Sequence, residues 1–543
     1  MDERHGVDVL FEILTSEGVT HVFGNPGTTE LPFVDALPGH PELDYVLCLQ
    51  EATVVAMADG YAQARCRPAF VNLHTSAGLG NAIGNLTNAR ANGSPLVVTA
   101  GNADRRHLIA DPLLSGDLVG LARGTVKWAH EARHPEELGT VLRRAFLDAA
   151  TPPSGPVFVS IPSDVLDAPT TAEAPPRSTV MRSAVGGGLD QLAAALRSVP
   201  PDQLALIAGE EVALTGAVDQ VVALAEKLGC QVHGSPLYSA TVFPTAHPLW
   251  AGPLPARADA IRRALAGYRV VCQLGGQALM VYPYAGGSPL PDDVSLLHLS
   301  ADPDAPGHTH PAALGVVGDI AATIGALLPI LPALPAATLT SPPALETPDY
   351  DATALARYDA VPMHPMAAVH ALLRALPADI TLVDEAITAG SYARGLHRTT
   401  RPGTYFFCRG GGLGWGMPAA AGISLARGGD AVVCLVGDGS AMYSPQALWT
   451  AAARRLPVLF VVINNREYAI LKQNLPPTGV SAALGRTVGL DLDDPPVNYL
   501  ALAASMGVES ARVEKAGDIG DVATAAWNSG RPYLIELPVR PVR

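Results

Sequence analysis

Short runs of apolar, often β-branched residues alternate with longer Ala/Leu-rich stretches along the whole chain. We predict strands at VTHVFG, LDYVLCL, PAFVNLH and PLVVTAG in the first third, LALIAG, RVVCQLGG and SLLHLS in the middle, and ITLVDEA, AVVCLVG, VLFVVIN and YLIELPV in the last third. Apolar strands separated by helices are typical of parallel sheets that are covered on both faces. The pattern therefore predicts an α/β protein made of doubly wound parallel sheets.

Two stretches rich in Pro, Thr, Ser and Ala interrupt this alternation and predict linkers at residues 167–179 and 331–350. They divide the chain into a first domain (1–170), a central domain (184–330) and a third domain (351–543). The first and third domains end in similar segments, SGPVFVSIP and SGRPYLIELP. This weak match indicates two related domains on either side of a different one.

Composition narrows the class of protein. The chain has 543 residues, with 36 basic and 51 acidic side chains and a net charge of −15. No Lys/Arg-rich run is present, which argues against a nucleic-acid partner or an acidic membrane surface. The six cysteines form no CxxC pair, and no apolar run is long enough to cross a bilayer. We therefore expect a soluble, cytoplasmic enzyme of small-molecule metabolism.

Polar groups follow two consecutive strands of the third domain. Gly437-Asp438-Gly439 turns the chain at the end of AVVCLVG. A helix with Ser444 as its N-cap and Pro445 as its first residue then leads to the next strand, VLFVVIN, which ends at Asn464-Asn465. Because parallel strands end at the same edge of a sheet, Asp438 and Asn465 can share one ion. A carboxylate and an amide oxygen, without His or Cys nearby, suit Mg²⁺. Taken singly, each motif is more often a plain turn or a strand-end cap.

The spacing of GDG, 24 residues and NN resembles the signature of thiamine diphosphate enzymes, in which Mg²⁺ joins the cofactor's diphosphate to the protein. The resemblance implies that the third domain binds the diphosphate and the first binds the pyrimidine. It also implies that Glu467 supplies its backbone carbonyl to Mg²⁺, beside Asp438 and Asn465. Residues near the cofactor would then be Gly411, Leu413, Gly439, Ser440, Ala441 and Tyr468.

The segment LDYVLCLQEATVVAMADGYAQA places Glu51 directly after a strand and at the start of a helix. A glutamate there can simply favour the helix dipole. In the family that the chain resembles, it hydrogen-bonds the pyrimidine and activates the cofactor. We therefore expect Glu51 to be catalytic.

Three further stretches resemble the 2-oxo acid decarboxylases of this family, benzoylformate decarboxylase above all: VFGNPGTTELP, PAFVNLHTSAGLGNAIGNLTNA and YFFCRGGGLGWGMPAAAG. The resemblance implies that His74 relays protons and that Thr28, where the relative has serine, contacts the substrate carboxylate. A looser match places Tyr282 where the relative has a second histidine. Ile470 stands in place of a smaller alanine, and Phe407 and Leu471 complete the expected substrate pocket.

The resemblance implies non-oxidative decarboxylation of a 2-oxo acid, aromatic or aliphatic, to an aldehyde and CO₂ through a thiamine diphosphate enamine. The alternatives are a carboligase similar to acetolactate synthase and a non-catalytic cofactor-binding protein. A nicotinamide dehydrogenase is poorly supported, since no GxGxxG opens a helix. Because sites of this family combine two subunits, we expect a homo-oligomer, a dimer at least and a tetramer by analogy.

Overall fold

Three parallel sheets of six strands each form the framework of the protein. The computed structural model describes residues 3–277, 279–332 and 349–541. Every strand pair within these sheets is parallel, and helices connect the strands. The prediction of three doubly wound α/β domains is confirmed.

The first sheet and its helices are built from residues 6–167. Its strands are β1 (His21–Gly24), β2 (Asp44–Leu47), β3 (Ala69–Leu73), β4 (Leu96–Asn102), β5 (Ala129–Glu131) and β6 (Val157–Pro162). Its helices are α1 (Gly6–Glu17), α2 (Leu31–Ala36), α3 (Glu51–Arg65), α4 (Thr75–Asn92), α5 (Leu118–Ala122), α6 (Pro135–Ala150) and α7 (Ser163–Asp167). The strand order is β2-β1-β3-β4-β6-β5.

The central sheet has a different topology. Its strands are β7 (Leu204–Ala208), β8 (Gln231–Gly234), β9 (Trp250–Pro253), β10 (Val270–Leu274), β11 (Ser295–Ser300) and β12 (Leu314–Val317). Its helices are α8 (Leu189–Leu196), α9 (Glu210–Leu214), α10 (Val218–Leu228), α11 (Ala258–Leu265) and α12 (Ile320–Leu327). The order β12-β11-β10-β7-β8-β9 reverses direction between β7 and β10, as in dinucleotide-binding folds.

The third sheet repeats the topology of the first. Its strands are β13 (Thr381–Glu385), β14 (Tyr405–Phe407), β15 (Val432–Gly437), β16 (Val458–Asn464), β17 (Glu509–Arg512) and β18 (Tyr533–Pro538). Its helices are α13 (Tyr350–Leu355), α14 (Pro365–Ala375), α15 (Gly390–Leu396), α16 (Gly416–Ala426), α17 (Asp438–Ala441), α18 (Ala447–Arg454), α19 (Ala469–Gln473), α20 (Val480–Leu484), α21 (Tyr499–Ser505) and α22 (Ile519–Asn528). The order β14-β13-β15-β16-β18-β17 matches the first sheet strand for strand.

The weak match between the two domain ends has a structural counterpart. The matching segments contain β6 and β18, which occupy the same position in their sheets. The domain boundaries themselves stay predictions. Between α7 and α8 the chain forms no helix or strand, while most of the second predicted linker, residues 333–348, lies outside the described residues.

The first and third domains pack through α3 and α16. Their backbones approach closely at two glycines. A methyl group at Gly60 would lie 2.4 Å from the carbonyl oxygen of Ala419, and one at Gly422 would lie 2.0 Å from that of Met57. Because such distances are far inside van der Waals contact, both positions require glycine. The ADGYA and AAAG motifs thus join the two domains.

One local prediction is wrong. Helix α18 begins at Ala447 and not at Pro445, because the Ala447 N–H closes a turn onto the Ser444 carbonyl at 3.2 Å. The Ser444 hydroxyl caps nothing, as it has no hydrogen-bond partner among the described residues.

Two expectations about the whole chain can be compared with the structure. None of the helices in the described ranges is long and apolar enough to span a membrane. All six cysteines are free thiols, and five are buried. Burial raises the pKa of the Cys48 and Cys272 thiols to about 12, which is typical of unreactive core cysteines.

Candidate active site

Glu51 is the first residue of α3, directly behind the carboxyl end of β2. The preceding Gln50 caps the helix, and its side chain accepts from the Thr53 N–H at 3.0 Å. This cap fixes where the helix starts and hence where the Glu51 carboxylate lies. Two amides hold that buried carboxylate: Asn25 Nδ2 donates to Oε1 at 3.2 Å, and Asn81 Nδ2 donates to Oε2 at 3.0 Å.

His74 lies at the neighbouring strand end, where β3 leads into α4. Its Nδ1 is 2.8 Å from Oε2 of Glu30, which is almost fully buried. Glu30 also accepts from the N–H groups of Gly27 at 3.0 Å and Gly101 at 2.7 Å. Because a carboxylate only accepts hydrogen bonds, Nδ1 carries the proton, and Nε2 is the basic nitrogen of the neutral ring.

Two features of the neighbouring backbone fix the position of the His74 ring. Thr75, the next residue, has φ of 41°, which is unusual for a β-branched residue. On the other side, Gly27 packs against the imidazole so closely that a methyl group there would lie 2.2 Å from the ring. Strain of this kind is common at functional sites. Thr28, which follows Gly27, is exposed at the same edge, and its hydroxyl can reach a ligand.

Asp438 and Asn465 converge at the carboxyl edge of the third sheet, behind β15 and β16. The Asp438 carboxylate accepts from the Arg466 N–H at 2.6 Å, so it lies beside the residue that follows Asn465. The Asn465 Oδ1 in turn accepts from the Glu467 N–H at 3.0 Å. Burial raises the pKa of Asp438 to about 6, although the backbone N–H groups that donate to its carboxylate act to lower it. A carboxylate buried in this way favours a cation nearby.

The Glu467 side chain pairs with Lys472, at 2.5 Å from Nζ to Oε2. Lys472 also binds Asp491 at 2.5 Å, and Asp491 forms a strand-like bridge with Glu467. The carboxylate of Glu467 is therefore engaged by a cation of the protein. The role of its backbone carbonyl at the predicted Mg²⁺ site stays a prediction.

The residues at this edge fit both Mg²⁺ and a diphosphate. Within the described ranges, no three His, Cys, Asp or Glu side chains converge to bind a metal, so a metal here must use amide and carbonyl oxygens besides Asp438. Such an all-oxygen set suits Mg²⁺. The adjoining turn, α17, contains Gly439, Ser440 and Ala441, all buried. The Tyr468 ring lies against Gly439, where a methyl group would be only 2.6 Å from it.

Gly411 and Leu413 lie in a glycine-rich segment between β14 and α16. Gly411 has φ of 72°, and no atom lies within 4 Å of a methyl group built there. The partly exposed Leu413 follows two residues later. Gly411 thus faces open space near the sheet edge, and the contacts of both residues with a cofactor stay predictions.

The predicted substrate residues do not form one enclosed pocket within a single chain. Tyr282 is 70% exposed and Leu471 is 51% exposed, while Ile470 is half-buried in α19. Phe407 is buried at the end of β14, with the Arg394 guanidinium 4.3 Å from its ring centre. Their roles toward a substrate therefore stay predictions.

Sequence reasoning missed the residues that hold the catalytic candidates. Glu30, Asn25 and Asn81 all lie inside the quoted motifs VFGNPGTTELP and HTSAGLGNAIGN. Their polar side chains within otherwise apolar strand-to-helix turns were the available signal. Which of them touches His74 or Glu51 depends on contacts between separate loops.

Three domain families match the chain in the same order as the sheets. Residues 4–115 match the thiamine pyrophosphate enzyme N-terminal TPP binding domain, residues 189–327 match the central domain, and residues 388–537 match the C-terminal TPP binding domain. Together they cover most of the chain.

The chain is similar to known proteins along most of its length. Benzoylformate decarboxylase of Pseudomonas aeruginosa is 35% identical over 98% of both chains. The acetolactate synthase isozyme 3 large subunit of Escherichia coli is 29% identical over 87% of this chain and 84% of its own. Among solved structures, the thiamine diphosphate-dependent 4-hydroxybenzoylformate decarboxylase of Rhodococcus jostii has a TM-score of 0.89 and 32% identity, covering 99% of this chain and 100% of its own. The chain therefore belongs to the thiamine pyrophosphate enzyme family.

Proposed function

We propose that this protein is a Mg²⁺- and thiamine diphosphate-dependent decarboxylase that converts a 2-oxo acid to an aldehyde and CO₂. The observation that carries the proposal is the set of strand ends in the first domain. There a buried Glu51, held by two asparagine amides, lies on the same sheet edge as His74, whose ring is fixed by Glu30. These are the two proton-handling groups that such a reaction needs.

Each residue has a distinct task in this proposal. Asp438, Asn465 and the carbonyl of Glu467 hold Mg²⁺, and Glu51 binds the pyrimidine ring. When bound, thiamine diphosphate supplies the electron sink that allows CO₂ to leave. Thr28 donates its hydroxyl to the substrate carboxylate. Nε2 of His74, once protonated, donates to the former 2-oxo oxygen and takes the proton back as the aldehyde is released.

The same site supports a second candidate, a carboligase similar to acetolactate synthase. Two observations favour it: the relationship to an acetolactate synthase large subunit and Tyr282 at the position expected for a second histidine. A phenol is a poorer proton relay than imidazole at neutral pH. Slower protonation would give a second carbonyl compound more time to react.

We also propose that the working enzyme is a homo-oligomer, a dimer at least and by analogy a tetramer. Among the described residues, the hydrogen bonds of Glu51 all come from the first domain, while the Asp438 carboxylate is bound within the third. Leu47, Leu49 and Leu113, exposed on the first domain, offer apolar surface to a partner. Size-exclusion chromatography with light scattering would reveal a monomer if this is wrong.

The deciding experiment measures CO₂ and aldehyde release with thiamine diphosphate and Mg²⁺ on benzoylformate, pyruvate and branched or longer aliphatic 2-oxo acids. Release of both products in equal amounts supports the decarboxylase. CO₂ without free aldehyde, together with a hydroxyketone product when an aldehyde is added, supports the carboligase. Cofactor binding without any product from these acids supports the non-catalytic alternative.

A further inference from the structure

The glycine-rich segment of residues 409–416, here called the cofactor loop, is held by side chains from all three domains. In its middle, Gly412 N–H donates to Asn88 Oδ1 at 3.0 Å, and Asn88 Nδ2 donates back to the Gly412 carbonyl at 2.9 Å. Near its end, the Trp415 indole N–H donates to Asp59 at 2.8 Å. Both partners belong to the first domain.

The third domain fixes the end of the cofactor loop through one carboxylate. Glu385 accepts three backbone N–H groups, from Gly414 at 2.7 Å, Trp415 at 3.0 Å and Gly416 at 2.9 Å. These bonds hold the entry to α16. At the opposite end, where the loop leaves β14, no carboxylate among the described residues accepts a comparable set of backbone N–H groups, and Arg409 is the first residue of the loop.

Arg409 anchors the start of the cofactor loop. Its backbone N–H donates to Asn92 Oδ1 at 3.0 Å, while its guanidinium forms an ion pair with Glu210 of the central domain. The two side chains are only 7% and 10% exposed. The guanidinium also contacts Met280 Sδ at 3.7 Å, on the central-domain segment that carries Tyr282.

The three glycines after Arg409 make this anchor important. Gly410, Gly411 and Gly412 have no side chains that could restrict the backbone, and Gly411 has a positive φ. Gly410 and Gly412 are pressed against Asn88, where added methyl groups would lie 2.5 and 2.8 Å from its side-chain oxygen. A flexible run of this kind keeps one conformation only if both of its ends are fixed.

Within the described residues, the main polar contact of the Glu210 side chain is its ion pair with Arg409. Glu210 follows β7, at the point where the central sheet reverses direction, and lines a cavity of about 530 Å³ between the first and central domains. One carboxylate oxygen has no hydrogen-bond partner within the described residues. Its neighbour Glu211 differs, as it is bound by Ser300 and by the N–H groups of Gly276 and Ala301.

We propose that Glu210 is a positioning residue of the cofactor site, which acts through Arg409 to hold the cofactor loop ready for thiamine diphosphate. The inference rests on the proposed roles of Gly411 and Leu413 at the cofactor. It assigns to the central domain an indirect part in cofactor binding, through Arg409. Loss of the ion pair leaves a buried guanidinium without its partner and releases the start of the loop.

The test compares Glu210→Gln with Glu211→Gln, a matched loss of a carboxylate one residue away. Thiamine diphosphate binding is titrated at saturating Mg²⁺ through the change in the intrinsic tryptophan fluorescence of the protein, to which Trp415 of the cofactor loop contributes. We expect the dissociation constant to rise about tenfold or more for Glu210→Gln and less than twofold for Glu211→Gln. Arg409→Gln should weaken binding similarly, and the double variant Glu210→Gln/Arg409→Gln should be no weaker than the weaker single variant.

Hydrogen exchange of the protein without cofactor provides a second readout. Peptides covering 409–416 should exchange faster in Glu210→Gln than in the wild type and unchanged in Glu211→Gln, and Glu210→Asp should restore part of the protection. Unchanged exchange, or equal changes in both glutamine variants, would overturn the inference. If the wild type fails to bind thiamine diphosphate, the proposed function is wrong, while the exchange comparison still decides whether Glu210 positions the loop.

Discussion

The first and third domains share one strand order but use it for different chemistry. In both, candidate site residues lie at the carboxyl edge of the sheet, after β2 and β3 in the first domain and after β15 and β16 in the third. In the first domain these are Glu51 and His74, the proposed proton-handling side chains, each held by other side chains. In the third domain they are one buried carboxylate, Asp438, and backbone groups around it. The fold thus fixes where a site lies, and the side chains decide what it does.

The segments after β2 and β14 show the difference most clearly. Behind β2, helix α3 begins within four residues, and its own cap positions Glu51. Behind β14, the cofactor loop runs to α16 without a helix, and Asn88, Glu385 and Glu210 hold it. The backbone of Glu51 is positioned by a local helix cap, although tertiary contacts from Asn25 and Asn81 hold its carboxylate, whereas the glycine-rich loop needs tertiary contacts for its backbone as well. First-domain variants should therefore impair turnover, and third-domain variants should impair binding.

The largest effect is expected for Glu51→Gln. Glutamine keeps the shape of the side chain but cannot exchange a proton as a carboxylate does. We expect turnover to fall by about 10²–10⁴-fold, the usual contribution of a general acid or base, with cofactor affinity changed far less. Stopped-flow assays of CO₂ release, together with fluorescence titration of thiamine diphosphate, measure both quantities.

The control for this variant is Glu42→Gln, an exposed carboxylate of the same domain that should leave turnover unchanged. Full activity of Glu51→Gln would contradict its role in cofactor activation. A loss of cofactor affinity as large as the loss of turnover would contradict the expectation that first-domain variants impair turnover and third-domain variants impair binding.

Asp438→Asn should produce the complementary defect. The amide keeps an oxygen near Mg²⁺ but removes the negative charge, and carboxylates are the ligands that Mg²⁺ prefers. We expect the Mg²⁺-dependent affinity for thiamine diphosphate to fall by about 100-fold, with turnover partly recovered at high Mg²⁺. Isothermal titration calorimetry measures this, and Asp521→Asn, on an exposed position of α22, serves as the control. Unaltered Mg²⁺ dependence would exclude Asp438 as a ligand.

The sequence predicted the sheets and the ends of their longest strands because these signals are local. Apolar runs located the strands, and GDG and NN located the edge that carries Asp438 and Asn465. The resemblance to thiamine diphosphate enzymes then indicated Glu51 and His74 as catalytic candidates. Short strands such as β9, which is only partly buried, escaped notice because their apolar pattern is weak.

The partners of the site could not be predicted in the same way. Glu30 reaches His74 across 44 positions of the chain, and Asn88 reaches Gly412 across 324. Asparagine and glutamate in such segments are usually exposed caps or helix starts, so their sequence context does not distinguish them. The amides of Asn88 and Asn92 lie on α4 and reach the cofactor loop because the first and third domains pack against each other.

A pH titration of stability should identify the buried carboxyl that fixes the cofactor loop. Burial raises the pKa of Glu385 to about 7, despite its three N–H donors, whereas the ordinary value is 4.5. The folded protein thus binds this proton more tightly than the unfolded chain does. The contribution to the free energy of unfolding is complete below about pH 4.5 and is lost as the pH rises through 7.

This shift corresponds to about 3–4 kcal/mol across that window. We expect Glu385→Gln to remove this pH-dependent contribution. The difference in the free energy of unfolding between the variant and the wild type should therefore vary with pH between 4.5 and 7. Urea unfolding of the protein without cofactor measures the curves, with Glu509→Gln, an exposed carboxylate of the third domain, as the control. A difference that is constant with pH would show that Glu385 does not titrate there.

The smallest effect is expected for Ile470→Ala, which tests whether the third domain also sets the size of the substrate. Ile470 lies in α19, directly after the segment that contains Asn465 and Tyr468. Removing three carbons from a pocket wall changes discrimination between substrates by about tenfold, because each buried methylene contributes modestly. We expect kcat/KM for benzoylformate to rise relative to that for an aliphatic 2-oxo acid, with cofactor affinity unchanged. Val480→Ala, an exposed truncation in α20, should leave the ratio as in the wild type. An unchanged ratio in Ile470→Ala would place the acyl group elsewhere, and a weaker cofactor would assign Ile470 to binding, like its neighbours in the third domain.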